Sequence, residues 1–316
     1  MASVFISYEN VIDFSGVFKY AQNLLMKLLI TGSSGFIGKH LVSAFQEKYK
    51  LKIVYLQKKK VEALDLNGIQ VIIHLAGKAH QMRKIDPKIY FEINRDLTIK
   101  LAKKAKAEGV QQFVFISTVK VYGDIGKNKD ILDEYSTCNP IDPYGQSKLG
   151  AERELIKLET ANFKIVIIRP PLVYGAGVKG NLERLIPLVK KISILPFGGI
   201  NNKRSMVYVG NLIALINHII QNRSRGIFIA GDQEPHSTTE LVKLIKKHLK
   251  SRTILIKLPL LAISLLRVLK PALVNRLFDS YVIDNSITNK KLGFKPPFSF
   301  ELGIKEMVEA FVKNKK

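Results

Sequence analysis

The stretch MKLLITGSSGFIGKH, residues 26–40, decides the fold. KLLIT (27–31) is a short apolar run of strand type. A turn follows with glycine at Gly32, Gly35 and Gly38, spaced G-x-x-G-x-x-G, and then FIGKHLVSAFQEK, whose apolar residues recur at helical spacing. Strand, glycine turn and helix in that order make a phosphate cradle. Glycine lets the turn adopt positive φ and lets the backbone approach a pyrophosphate without a Cβ in the way. The helix start offers free N–H groups and a partial positive charge. A glycine triplet alone is a weak signal, and its place after the first strand of an alternating pattern is what strengthens it.

That alternation continues downstream. LKIVYL (51–56), VIIHLA (71–76), FVFIS (113–117) and KIVIIR (164–169) read as buried strands. Between them YFEINRDLTIKLAKKAKAEG, stopped by Gly109, and a run from Tyr144 to about Glu159 read as helices. The pattern predicts an α/β protein with a doubly wound parallel sheet covered on both faces. After Arg169 the rhythm loosens through PPLVYGAGVKGN. The remainder mixes a strand at GIFIAG with helices near 182–190, 211–222, 238–249 and 259–269. The expected organisation is a dinucleotide-binding domain over 26–175 and a smaller C-terminal α/β lobe, mainly for substrate, over 176–316. Residues from about 204 to 230 are candidates to return to the first domain.

Composition narrows the function classes. Hydrophobic residues are 47% and charged residues 24% of the 316, a globular balance. The single cysteine, Cys138, excludes a disulfide framework and a multi-cysteine zinc site, which suits a reducing cytoplasm; no metal site is expected. Fifty Lys and Arg against 26 Asp and Glu leave a charge of +24, which favours polyanionic partners. The basic residues are spread along the chain with no arginine-rich tract, so a nucleic-acid partner is not expected. No run reaches the roughly 20 apolar residues of a membrane span. LPLLAISLLRVLK (258–270) is short and broken by Arg267, and is expected to be a packed helix of the folded domain, with a membrane-surface helix as the alternative.

Three residues far from the cradle carry chemistry. Tyr144 and Lys148 of PYGQSK stand at i and i+4, on one helical face. A phenol with pKa near 10 is a poor base at neutral pH, and a neighbouring ammonium would stabilise the phenolate. Thr118, in FISTVKVYG at a strand end, can offer a hydroxyl to the same substrate oxygen.

GSSGFIG, HLAG (74–77), Asn94, STVKVYG, YGQSK and RPPLVYG (169–175) together resemble the extended short-chain dehydrogenase/reductases of the NAD-dependent epimerase/dehydratase type, which act on nucleotide sugars. The resemblance covers residue 26 to about 312. It implies a Rossmann domain holding a nicotinamide cofactor, a UDP-sugar under the C-terminal lobe, and Thr118, Tyr144 and Lys148 as catalytic residues. On the cofactor side it implies Gly32, Gly35, Phe36, Ile37 and Gly38 in the cradle and Lys58 after the second strand. Asp65 and Leu66 would lie at the adenine, with Leu75, Ala76, Gly77, Asn94, Tyr144, Lys148 and Pro171 nearer the nicotinamide. On the substrate side it implies Thr118, Asn181 and Leu182, with Arg204 and Arg276 at the diphosphate. It also implies a homodimer through helices at about 90–108 and 144–160. Residues 1–25 match nothing in the family, so Met26 is the expected start of translation and the preceding segment is expected to be dispensable.

The second strand ends in Gln57, Lys58, Lys59 and Lys60, where members that prefer NAD carry an acid at the ribose hydroxyl. NADP is therefore the expected cofactor, with NAD the alternative. HLAGKAH, STVKVYG, RPPLVYGAGVKGN and NNKRSMVY resemble most the UDP-4-keto-sugar 4-reductases that form UDP-N-acetylquinovosamine. A UDP-hexose 4-epimerase with tightly bound NAD is the alternative, and a catalytically silent nucleotide-binding module stands as a third reading.

Overall fold

A computed structural model of the protein describes residues 26–79, 86–123 and 131–314. The expectation for residues 1–25 lies outside the described residues.

The chain opens with β1 (Lys27–Thr31), α1 (Phe36–Phe45), β2 (Lys50–Val54) and β3 (Val71–His74). Helix α2 (Pro87–Tyr90) runs through a π-helical stretch, Phe91–Asp96, into α3 (Leu97–Ala107). Then come β4 (Gln112–Ile116), α4 (Pro143–Leu158), β5 (Lys164–Arg169) and β6 (Leu172–Tyr174). The later part holds α5 (Asn181–Lys191), β7 (Ile194–Gly198), β8 (Met206–Tyr208), α6 (Val209–Gln221), β9 (Gly226–Ile229), α7 (Thr238–Leu249) and β10 (Ile254–Lys257). Four helices close it: α8 (Leu260–Leu269), α9 (Pro271–Phe278), α10 (Ser286–Leu292) and α11 (Phe300–Lys313).

Six parallel strands form the main sheet in the order β2-β1-β3-β4-β5-β9. Its central strands are apolar on both faces, and the period of two explains why. Leu28, Ile30, Ile73, Val114, Val166 and Ile168 enter one core. Leu29, Ile72, Phe113, Phe115, Ile165 and Ile167, one residue out of step, enter the other. Full burial of each such side chain contributes about 1.5–3 kcal/mol. β9 comes late in sequence yet pairs with β5, so Gly226–Ile229 belongs to this sheet. Smaller parallel pairs, β6 with β8 and β7 with β10, serve the later part.

Several expectations change in detail. The run at 51–56 ends as a strand at Val54, and Ile53 and Tyr55 are 37% and 49% exposed because β2 is the sheet's edge. The helix read as continuous near residue 94 contains the π-helical stretch. Helix α11 was not read from the sequence, although Phe300, Ile304, Met307 and Val308 give it a buried stripe behind the Ser299 cap. The expectation of a packed helix at 259–269 needs correction. α8 forms there, but Leu261, Leu265, Val268 and Leu269 are 85%, 62%, 80% and 66% exposed. Its packing partner is α9, which covers the other side of α8 only. Among the described residues no helix is long and apolar enough to cross a membrane, and no group of three or more His, Cys, Asp or Glu is placed to hold a metal ion.

Candidate active site and cofactor cradle

The cradle turn is built by close backbone contact. Gly32 has φ +74°, and a Cβ there would come within 2.5 Å of the Ala76 nitrogen. A Cβ on Gly38 would fall 2.2 Å from the Gly32 oxygen, so α1 can start this near β1 only with glycine at both places. Gly35 caps α1 without any side-chain hydrogen bond, and no acid stands in the first turn. Among the described residues, no side chain accepts from the N–H groups at Phe36 and Ile37, and Ser33 Oγ is buried with no hydrogen-bond partner. An uncapped helix start beside an orphaned hydroxyl fits a pyrophosphate.

His74, the first residue of HLAG, braces the loop that carries Leu75, Ala76 and Gly77. Its Nδ1 lies 2.7 Å from Thr31 Oγ1 and its Nε2 lies 2.9 Å from Thr98 Oγ1. Thr98 gives its own proton to the Asn94 carbonyl at 2.8 Å, so it accepts from Nε2–H, and Nδ1 accepts from Thr31. Complete burial holds the imidazole near a pKa of about 3, so it stays neutral.

The three catalytic candidates meet at the C-terminal end of β4. Thr118 is buried just beyond that strand. Tyr144 and Lys148 lie on the first two turns of α4, which Asp142 caps by accepting from the Gly145 N–H at 2.8 Å. The Thr118 hydroxyl, which accepts from the Lys120 N–H at 3.2 Å, lies close enough to the Tyr144 phenol to favour its ionised form. Lys148, only 5% exposed, donates to the Ile116 carbonyl at 2.8 Å and sits 4.4 Å from the Phe115 ring centre. Burial pushes the Tyr144 phenol up to about 12, against the opposing effect of the Thr118 hydroxyl. Burial pulls the Lys148 ammonium down to about 8, and the Glu152 carboxylate opposes that shift. The expected lowering of the phenol by Lys148 does not emerge here: desolvation sets the direction, and the ammonium donates to the Ile116 carbonyl at the β4 end.

Asn94 is fully buried in the π-helical stretch and ties two parts of the site together. Its oxygen accepts from the Lys78 N–H at 2.7 Å, and its amide donates to the Lys78 carbonyl and Ser147 Oγ, both at 3.1 Å. Ser147 in turn donates to the Tyr144 carbonyl at 2.8 Å. π-helical stretches recur at functional sites, and this one turns a helix side chain toward the loop after Gly77.

Sequence reasoning missed a buried network behind these groups. Glu152, one turn beyond Lys148, pairs with Arg169 at 2.6 Å, and the two are 1% and 3% exposed. Ser117 Oγ donates to Glu152, and Arg169 donates to Tyr122 Oη at 2.9 Å. The signal in the sequence was the continuation of the Tyr144/Lys148 stripe by an acid at the next i+4 place, with an arginine just before Pro170.

Other candidates are scattered in their surroundings. Lys58 is exposed beyond β2. Asp65 is exposed and paired with Lys52 at 3.0 Å, while Leu66 is a fully buried core residue whose N–H donates to Glu108 at 3.1 Å. Pro171 is buried after β5. Asn181 is exposed at the start of α5, and Leu182 beside it is buried in the core, so packing already uses its side chain. Arg204 donates to the Asp279 carbonyl at 3.0 Å. Arg276 lies on α9, and its side chain is outside the described residues. Two surface cavities of about 530 and 620 Å³ are lined chiefly by residues of α11 and α7, and none of the three catalytic candidates borders them.

Known proteins place this arrangement. The model of the NAD dependent epimerase/dehydratase family matches residues 28–231. A UDP-glucose 4-epimerase of Vibrio cholerae is 34% identical over 319 residues, covering 90% of this chain and 95% of that protein. The N-acetyl-alpha-D-glucosaminyl-diphospho-ditrans,octacis-undecaprenol 4-epimerase of Escherichia coli O157:H7 is 26% identical, covering 73% of this chain and 75% of its own. In fold, the UDP-glucuronic acid 4-epimerase of Bacillus cereus in complex with NAD superposes with a TM-score of 0.72 at 21% identity, over 92% of this chain and all of that one. The protein RMD of Pseudomonas aeruginosa complexed with NADPH gives 0.74 at 19% identity, over 90% of this chain and 99% of the other. The chain belongs to the NAD dependent epimerase/dehydratase family, and it is an NAD(P)-dependent enzyme.

Proposed function

We propose that the protein reduces carbon 4 of a UDP-4-keto-6-deoxy-N-acetylhexosamine in the cytoplasm, yielding UDP-N-acetylquinovosamine for surface polysaccharide. What supports the reductive direction is the run Lys58, Lys59 and Lys60 after β2, which suits the 2′-phosphate of NADPH, a reductant taken up and released at each turnover. Tyr144, protonated at neutral pH, is the proton donor. A bound nicotinamide supplies the hydride. Tyr144 then gives its proton to the sugar oxygen as that oxygen becomes an alkoxide. Thr118, beside Tyr144 at the end of β4, would hold the same oxygen in line. Lys148, one turn beyond Tyr144 on the same helix, would hold the cofactor ribose.

The cradle from Gly32 to Gly38, with Ser33 and the N–H groups at Phe36 and Ile37, would hold the pyrophosphate. Lys58 with its two lysine neighbours favours a 2′-phosphate, so the cofactor read here is NADP. Asn181 and Arg204, with Arg276 as a further cation, would take the UDP. Most of residues 176–316 serve the sugar in this reading, and two chains pair through the helices at 90–108 and 144–160.

A second reading is favoured by the Vibrio cholerae relative: a UDP-hexose 4-epimerase with tightly held NAD. That chemistry needs Tyr144 to accept a proton first, and so needs a positive charge close enough to bring its pKa down. Identification by mass of the nucleotide released from denatured protein separates the two. Protein that is empty or carries NADPH, and that oxidises NADPH when given the 4-keto sugar, supports the reductase. One NAD per chain together with interconversion of UDP-hexoses would replace it with the epimerase.

A further inference from the structure

Helix α8 turns an apolar stripe to solvent. Leu261, Leu265, Val268 and Leu269 stand at i, i+4, i+7 and i+8, one helical face, and all four are well over half exposed. β10, which leads into α8, exposes Ile254 and Ile256, and Ile194 opposite Ile254 on β7 is also exposed. Isolated exposed leucines are ordinary, but an ordered stripe of them marks a surface that meets something apolar. The charges around it say what. Lys250, Arg252, Lys257 and Lys270 fall within residues 250–270, a span without Asp or Glu, while Arg267 is paired with Asp279 at 2.8 Å. The whole chain carries +24.

We propose that α8 and the end of β10 dock on an anionic lipid bilayer, with the leucine stripe at headgroup depth and Lys250, Arg252, Lys257 and Lys270 on the lipid phosphates. A helix of ten residues is about 15 Å long, half of a hydrocarbon core, so it lies on the membrane and does not cross it. The site is tied to this surface. Arg204 donates to the Asp279 carbonyl at 3.0 Å and Asn202 to the Leu277 carbonyl at 3.1 Å, both at the end of α9. Tyr281, two residues after Asp279, donates to the Val119 carbonyl at 3.0 Å, next to Thr118. Docking would hold the sugar cleft at the bilayer surface. The proposal does not depend on which sugar the enzyme uses.

The chain has no tryptophan, so Leu265→Trp in the full-length protein gives a single fluorescent reporter. With vesicles of phosphatidylglycerol and phosphatidylethanolamine, its emission should shift to the blue and be quenched by brominated lipid. A Tyr135→Trp control, at a site 82% exposed, should not respond. The Leu261→Ser/Leu265→Ser protein should bind these vesicles at least about tenfold more weakly, with unchanged thermal stability. Three results would overturn the proposal. One is wild-type protein that does not sediment with anionic vesicles. Another is binding that survives the serine substitutions, which would leave net charge alone. The third is a reporter already blue-shifted without vesicles, or a dimer that the serines dissolve; either would show the stripe covered by protein.

Discussion

Helices α4 and α8 break the same rule in opposite directions. α4 buries Lys148 and Glu152 on one face, and α8 exposes Leu261, Leu265, Val268 and Leu269 on one face. A stability-optimised helix would do neither, because buried charge is costly and exposed leucine gains nothing. α4 compensates within the chain: Glu152 has Arg169 and Ser117, and Lys148 has the Ile116 carbonyl and the Phe115 ring. α8 has α9 on one side and, among the described residues, no compensation on its outer stripe. The difference teaches where to look for function. An internal violation matched by partners marks chemistry, whereas an unmatched one on the outside marks a surface waiting for contact.

The largest expected effect tests α4. Tyr144→Phe removes one oxygen and should lower kcat by about 10³-fold while the melting temperature stays within a few degrees. Retained turnover would take the phenol out of the chemistry. Glu152→Gln comes next. It strands a buried guanidinium and should destabilise the fold by about 3–5 kcal/mol, read by urea unfolding. The double replacement Glu152→Leu/Arg169→Met should recover most of that stability. If kcat stays low in the double variant, the pair positions Thr118 and Lys148 as well as holding the fold.

Lys148 supplies a pH-dependent test of the same helix. Unfolded, its amine titrates near 10.5; folded, it is pulled down to about 8. Between those values the unfolded chain binds more protons, so stability rises with pH across that window. Below about pH 8 the full penalty is present, about 3 kcal/mol from the size of the shift. Wild-type protein should therefore gain stability relative to Lys148→Met between pH 8 and 10.5, and kcat/KM should fall over the alkaline side as the ammonium is lost. Parallel stability curves for the two proteins would mean that the amine is not desolvated.

The legibility of the sequence divides along the same line. The sheet was readable because strands buried on both faces leave unbroken apolar runs, and glycine is the one residue that fits the cradle turn. Thr118, Tyr144 and Lys148 were readable from spacing and order, and the structure brings them together at the end of β4. Their electrostatics were not. Proximity of Tyr144 and Lys148 in sequence suggested a lowered phenol, but burial is a property of the assembled fold and it dominates. The Glu152–Arg169 pair joins α4 to β5, a contact that no local pattern states. α8 misled for the converse reason: an amphipathic pattern says that one face is apolar, and cannot say whether the fold covers it.

The smallest expected effect is the one that most sharpens the contrast. Leu265→Ser should change folding stability by less than about 0.5 kcal/mol, since a side chain 62% exposed loses little burial when shortened. Leu155→Ser, on the buried face of α4 and 0% exposed, should cost several times more, because it leaves a cavity and a hydroxyl without water. Chemical denaturation of both variants in lipid-free buffer makes the comparison directly. Equal losses would mean that α8 is packed against protein in solution, and the distinction between a compensated interior and an open surface would fail. A neutral Leu265→Ser means that folding does not require the stripe, which leaves contact outside the fold as the reason for four aligned apolar residues.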